Sequence, residues 1–360
     1  MVKQMKKLWL LLLLLIPITT HAISASSYVV LDQANNQVLK SSNMNDQRLI
    51  ASISKIMTCI VAIENSDINQ IVTVDKNVLK AYGSAVYLEV GEKISLKDLL
   101  YGMMMRSGND AATMIAIAVS GSMDKFAEQM NNYAQKIGMK NTHFINSHGL
   151  ENEKGEGNQS SAYDMAILTS YAMKNAVFRE IFQEKNYTAK SDKKTYTWLN
   201  KNKLLKYDYI TGGKTGFTKK ARRTLVTTGK INGIDLVIVT LNDGNDWQDH
   251  IDLYQEIKNK YNKIQVLNKN KFKIVDDVIY VEDQLYINND HFITVSKDQE
   301  SQVKIKYYLY NNKKNYHDGE QVGMANVYVG DSIVVSEPIY IKIKKKNAFH
   351  KFIAWLKHIF

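Results

Sequence analysis

The chain has 360 residues, with 47 Lys and Arg against 36 Asp and Glu, a formal net charge of +11 and a single cysteine, Cys59. That length suits two domains better than one small core, and a lone cysteine excludes an internal disulfide framework. The charge would suit nucleic acid or an anionic surface, but no basic–aromatic RNA-binding module occurs and the chain opens like an exported protein. An anionic cell envelope is therefore the expected partner, and nucleic acid is not.

Lys3, Lys6 and Lys7 form a charged leader, residues 8–16 an apolar core, and Pro17 with Thr19-Thr20-His21-Ala22 a processing region. Residues 1–22 are read as a signal peptide cleaved after Ala22 or Ala25. An uncleaved anchor is the alternative, although the apolar core is short for a span of about 20 residues. Either way the remainder works outside the cytoplasmic membrane.

Residues 28–40 predict two short strands around a turn at Asn35-Asn36. Ser52-Ile53-Ser54-Lys55 then heads an apolar run over 56–63. If that run is helical, Ser52 and Lys55 share a face one turn apart. The amine can then take the hydroxyl proton, provided burial and nearby positive charge lower its pKa. A serine heading a helix is equally an ordinary N-cap, so the tetrad alone leaves both readings open. Cys59, inside the run, reads as a small buried hydrophobe.

Helices are predicted over 96–105, 111–119, 123–137 and 162–173, with Gly121 and Gly138 as stops and 151–158 as a loop. The pattern turns to strand over 209–218, and over 223–228 and 234–241 around a turn at 230–233. The expected fold is α/β (α+β), one antiparallel sheet with a helical cluster packed on it. From about residue 264 short alternating runs at 273–279, 291–296, 303–310 and 332–335 predict a small all-β domain. In the tail Phe349, Phe352, Ile353, Leu356, Ile359 and Phe360 follow helical spacing. About a dozen residues make ~18 Å, too short to span a bilayer. A basic amphipathic helix lying in the membrane interface is expected, aided by Lys342 and Lys344–Lys346. A helix docked on its own protein is the alternative. The division is signal peptide 1–22, catalytic domain 23–262, β-rich domain 263–345 and anchor helix 346–360.

Three elements stand in order: Ser52-x-x-Lys55, Ser107-Gly108-Asn109 and Lys214-Thr215-Gly216, about 55 and then about 105 residues apart. Separately, the second is ordinary turn composition and the third a solvated strand end. Together they resemble the S-x-x-K, S-x-N and K-T-G set of penicillin-binding proteins and serine β-lactamases. Longer phrases resemble the low-molecular-mass D-alanyl-D-alanine carboxypeptidases: 51–58, Leu99-Leu100-Tyr101-Gly102, 107–112, 138–144, His148-Gly149-Leu150 and 214–218. Ala221-Arg222-Arg223-Thr224-Leu225 and 243–247 are similar to that family's Gram-positive branch, although many relatives carry Gly where Arg222 stands. The resemblance is specific over about 28–255 and architectural beyond.

The resemblance implies a β-lactamase/transpeptidase-like domain and a serine D,D-carboxypeptidase trimming peptidoglycan stem peptides, with β-lactams as inhibitors that acylate the same serine. It implies Ser52 as acyl-ester nucleophile, Lys55 as proton acceptor, Ser107 as proton relay and Asn109 as a substrate-amide holder. Lys214 and Thr215 would receive the terminal carboxylate, Gly216 would allow close approach, and the backbone N–H groups of Ser52 and Phe217 would form the oxyanion hole. A β-lactamase is the nearest rival, but the loop at 151–156 lacks an E-x-x-N match. Endopeptidase action would use the same groups, and a silent envelope-binding protein would not need them intact. His143 and His148 beside Glu151 or Glu153 raise a zinc reading that no H-E-x-x-H supports, so no metal or cofactor is expected. His148, Asp246-Trp247 and Asp249-His250 are read as structural.

Overall fold

A computed structural model of the chain describes residues 22–274, 280, 284–310 and 316–343. The leader up to residue 21, residues 275–279 of the run at 273–279, and the tail helix at 346–360 lie outside the described residues. The described chain forms two compact units. One runs to Gln255 but excludes Ile231–Ile234; the other joins Ile231–Ile234 to the residues from Glu256 onward.

In the first unit β1 (Ser27–Asp32) is buried along its whole length and pairs antiparallel with β2 (Gln37–Ser42). The turn between them uses Asn36 at φ 57°, a left-handed position that Asn tolerates well. A 3-10 turn (Ala51–Ser54) leads into α1 (Lys55–Asn65), which is buried from Lys55 to Ala62. A helix apolar on every side belongs in the core, and α1 runs through the middle of the cluster. Around it stand α2 (Leu96–Arg106), α3 (Asn109–Ser120), α4 (Met123–Lys136), α5 (Ala162–Ala172) and α6 (Ala176–Gln183). Ser95, Ser122, Ser161 and Asn175 cap α2, α4, α5 and α6 by accepting N–H bonds.

A hairpin of β3 (Asn186–Lys190) and β4 (Thr195–Leu199) precedes the sheet strands β5 (Ile210–Thr218), β6 (Arg222–Ile231) and β7 (Ile234–Asp243). The sheet order is β2-β1-β7-β6-β5, which puts β5 on an edge. Helix α7 (Asp246–Lys260) follows. The sequence reading did not contain α7, because its buried stripe of His250, Leu253, Tyr254 and Ile257 includes a polar ring. That ring is satisfied by the Thr227 hydroxyl at Nδ1 (2.8 Å) and the Thr240 hydroxyl at Nε2 (3.1 Å). Burial pushes its pKa down to about 3, so His250 is a neutral core residue.

Arg222 opens β6 at φ 60°. This left-handed backbone is the physical reason glycine suits the position, since a Cβ costs roughly 1 kcal/mol there. Arg222→Gly is expected to raise stability by about 1 kcal/mol, read from the urea midpoint; a lowered midpoint would refute the strain.

The second unit pairs β8 (Tyr261–Leu267) with β10 (His291–Ser296). Its larger sheet has the order β9-β13-β12-β11, with β9 (Gln284–Tyr286), β11 (Val303–Leu309), β12 (Gln321–Val329) and β13 (Ser332–Lys342). Leu267, Ile293, Val322, Val327, Ile339 and Ile341 form its core. Strand β12 escaped the sequence reading because Gly323 and Asn326 break its alternation. Among the described residues of both units, no helix is long and apolar enough to cross a membrane.

Candidate active site

Ser52 sits in the 3-10 turn, one step ahead of the helix that Lys55 begins. The turn is held from three sides. The Ser54 hydroxyl donates to Ala51 O (2.7 Å) and the Thr224 hydroxyl to Ile50 O (3.0 Å). Gly149, at φ +88°, lies so close that a Cβ there would stand 2.0 Å from Ala51 O. Ala51 itself is left-handed, at φ 48°. Neither Ser52 nor Ser54 makes a side-chain cap to α1, so the N-cap alternative is set aside. Gly149→Ala is expected to destabilise the protein by about 3 kcal/mol or more and to slow penicillin acylation; an unchanged melting temperature would refute the contact.

Lys55 is fully buried. Its Nζ lies 3.0 Å from Ser52 Oγ, 2.8 Å from Asn109 Oδ1 and 2.5 Å from His148 O. A neutral amine has two hydrogens and one lone pair, so donating to Asn109 and His148 leaves the lone pair for the serine hydroxyl. Burial favours that neutral state, and the charges of Lys214 and then Lys201 add to it, while Asp110 opposes; the pKa is held well below the ordinary lysine value.

Ser107 ends α2 in a left-handed conformation, φ 61°, and Asn109 opens α3. Such non-glycine strain costs of order 1 kcal/mol or more and gathers at functional sites. The Asn109 amide is oriented at both ends, Oδ1 by Lys55 and Nδ2 by Tyr82 O (2.6 Å). Lys214 projects from β5, buried, and donates to Ser107 Oγ (3.1 Å) and Thr215 O (2.8 Å). Burial, with the charge of Lys201 beside it, lowers its pKa to about 7. The Lys201 amine reaches Ser84 Oγ (3.1 Å) and is itself lowered by burial and by Arg106.

The two groups are one site. Strand β5 packs on the 3-10 turn, and a Cβ on Gly216 would stand 3.0 Å from Ser52 N and 2.4 Å from Thr224 Oγ1. Only glycine admits that approach. Phe217 follows on the same edge strand with its ring exposed and its backbone in register with Arg223. A cavity of about 330 Å³, lined by Tyr82, Thr113, Ile117 and Met123 among others, touches this site through Asn109 and His148.

Sequence reasoning did not contain three participants. The carbonyls of His148 and Tyr82 are backbone groups, which side-chain motifs do not advertise, and Lys201 sits in an unremarkable Asn-Lys-Asn-Lys stretch. His148 packs as expected, its Nδ1 accepting from the Leu150 N–H (3.1 Å); burial and Lys55 push its pKa down to about 3. Among the described residues no His, Cys, Asp and Glu cluster could hold a metal ion.

A serine on a strained turn, a buried lysine on its hydroxyl and a second serine–lysine pair facing it across a sheet edge define a serine hydrolase of the Ser–Lys type. Residues 17–245 match the family model described as D-alanyl-D-alanine carboxypeptidase, and residues 258–346 the one described as penicillin-binding protein 5, C-terminal domain. The chain belongs to the D-alanyl-D-alanine carboxypeptidase family. It is 34% identical over 225 residues to the carboxypeptidase DacF of Bacillus subtilis, covering 61% of this chain and 57% of that one. DacA of Haemophilus influenzae is 31% identical over 319 residues, 81% of this chain and 77% of the relative. The crystal structure of penicillin-binding protein 5 from Haemophilus influenzae superposes with a TM-score of 0.71 at 27% identity, covering 90% of this chain and 98% of that one. The mixed fold with a C-terminal β domain is thus that of the family.

Proposed function

We propose that this serine-type carboxypeptidase removes the terminal D-alanine from peptidoglycan stem pentapeptides through an acyl-enzyme on Ser52. The observation that carries the mechanism is the buried Lys55 amine, 3.0 Å from Ser52 Oγ. Ser52 Oγ attacks the carbonyl of the penultimate residue as its proton passes to Lys55. The carbonyl oxygen becomes an oxyanion, received by the backbone N–H groups of Ser52 and Phe217; one such donor is typically worth about 3 kcal/mol. The C–N bond breaks as the leaving amine takes a proton through Ser107, which Lys214 orients. Water then adds to the ester, Ser52 recovers its proton, and the shortened peptide leaves. The second Asn109 amide hydrogen serves the substrate backbone, while Lys214 and Thr215 receive the free carboxylate. Incubation with a pentapeptide ending in D-Ala-D-Ala should release a single alanine by mass spectrometry; an unchanged peptide would overturn the reading.

Lys214→Gln is expected to raise KM for a carboxylate-ended peptide by at least about tenfold, since a charge-assisted contact is worth about 1.5–3 kcal/mol. An equal loss on a C-terminally amidated peptide would instead give Lys214 a role independent of the carboxylate.

We assign the protein to the outer face of the cytoplasmic membrane, with the division 1–22, 23–262, 263–345 and 346–360 set out above and β-lactams acylating Ser52. The helical spacing of apolar residues from Phe349 to Phe360, behind a basic run, supports the anchor. Deleting 349–360 should release the enzyme from sedimenting membranes; continued sedimentation would sink this part.

A further inference from the structure

Three carboxylates, Asp243 at the end of β7 and Asp246 and Asp249 in the first turn of α7, are each at most 3% exposed. Arg223 Nη1 lies 3.7 Å from Asp246. Asp243 and Asp249 instead face the chain just before β1. Asp249 Oδ2 accepts the Ser24 N–H at 2.6 Å and the Ala25 N–H at 3.2 Å. The Ser24 hydroxyl lies 2.8 Å from Asp249 Oδ2 and 2.8 Å from Asp243 Oδ1, and it accepts the Asn245 N–H at 3.0 Å.

A hydroxyl has one hydrogen, so it can serve only one of the two carboxylates it touches. The other oxygen of Asp243, Oδ2, is buried and accepts no hydrogen bond. The Asn245 N–H also lies 2.9 Å from Asp243 Oδ1, so the shortage falls on the one oxygen Oδ2. Burial, with Asp249 adding to it, drives the Asp243 carboxyl up to about 6, against the bonds from Asn245, Thr240 and Ser24. A positive charge would remove this imbalance.

We propose that the missing charge is the α-ammonium of the processed chain: the leader is cut between Ala22 and Ile23, and the new terminus at Ile23 pairs with Asp243 and Asp249. Ile23 lies one peptide unit before the Ser24 N–H that Asp249 already holds. Hydrolysis of the Ala22–Ile23 amide consumes one water and leaves an Ala22 carboxylate and an Ile23 amine, which takes up a proton. Cutting after Ala25 would instead remove Ser24 and Ala25, stripping both carboxylates of the Ser24 hydroxyl and Asp249 of its two N–H groups. It would also leave the terminus at Ser26, whose N–H bonds Asn242 O (3.1 Å) at the entry to the sheet. The pair therefore selects between the two cleavage points that the leader allows, and ties export to completion of the fold. This inference rests on the export reading given above.

The test is the full-length chain expressed with its own leader and purified from the envelope. N-terminal sequencing and intact mass should show Ile23 first; a chain beginning at Ser26, or retaining the leader, overturns the proposal. The α-amine of the mature protein should react with an amine-acylating reagent near neutral pH about tenfold more slowly than that of an Asp243→Asn/Asp249→Asn variant, as expected when carboxylates hold an amine protonated. Equal rates overturn it. Should the variant not fold, the wild type is compared before and after unfolding in urea, with slower reaction in the folded state expected and equal rates again decisive against. Penicillin labelling of Ser52, followed in the same samples, reports on the proposed activity separately, so either reading can fail alone.

Discussion

Ser52→Ala is expected to take no fluorescent penicillin and to lose at least about 10⁴-fold in kcat/KM on a D-Ala-D-Ala peptide, the scale on which loss of a catalytic nucleophile acts. The neighbours cannot substitute. The Ser54 hydroxyl is buried and donates to Ala51 O, and the Ser107 hydroxyl is held by Lys214. The variant should fold, because Lys55 keeps Asn109 and His148 as acceptors; a melting temperature within a few degrees of wild type checks this. Label persisting in the variant would move the nucleophile to another residue.

Lys55→Gln should cost about 10³-fold or more in acylation rate, since it removes the base while the nucleophile stays. The pH profile gives a sharper reading. Lys55 must be neutral to take the proton, so it sets the acid limb of kcat/KM, and its lowered pKa brings that limb down from the ordinary lysine range. Lys214 must be charged to hold a carboxylate, and its ammonium is lost as pH rises through about 7 in the free enzyme. The profile should therefore be bell-shaped, with the alkaline limb higher in kcat than in kcat/KM because a bound carboxylate favours the ammonium. Lys55→Gln should erase the acid limb, and Lys214→Arg the alkaline one. A limb that survives its own substitution refutes the assignment.

Much of this was legible in advance because the chemistry uses side chains at fixed spacing. Ser52 and Asn109 meet at the Lys55 amine and Ser107 meets Lys214 through hydrogen bonds, and the packing of β5 on the 3-10 turn brings the two sets together. The strands around Asn35-Asn36 and 230–233 and four of the helices also stand where apolar periodicity puts them, with bounds shifted by a few residues. What escaped has a common physical cause. Helix α7 buries a histidine whose partners are two threonines from other strands, so its period is invisible to a hydrophobicity count. The lysine's third partner is a carbonyl, a group every residue carries. The conformations of Ala51 and Ser107 are imposed by tertiary contacts on residues with no preference for φ > 0.

The edge position of β5 has a consequence for solubility. An unpaired strand edge is a template on which a second molecule can add, which is how sheets nucleate aggregates. On the proposed function this edge has to stay open, because Lys214, Thr215 and Gly216 lie on it. Directly after it, Lys219, Lys220, Arg222 and Arg223 all project into solvent. Two copies brought edge to edge would bring these cations together, and like charges on facing strands repel. A short peptide ending in a carboxylate meets the opposite field, so the same charges that keep the molecules apart draw in the ligand.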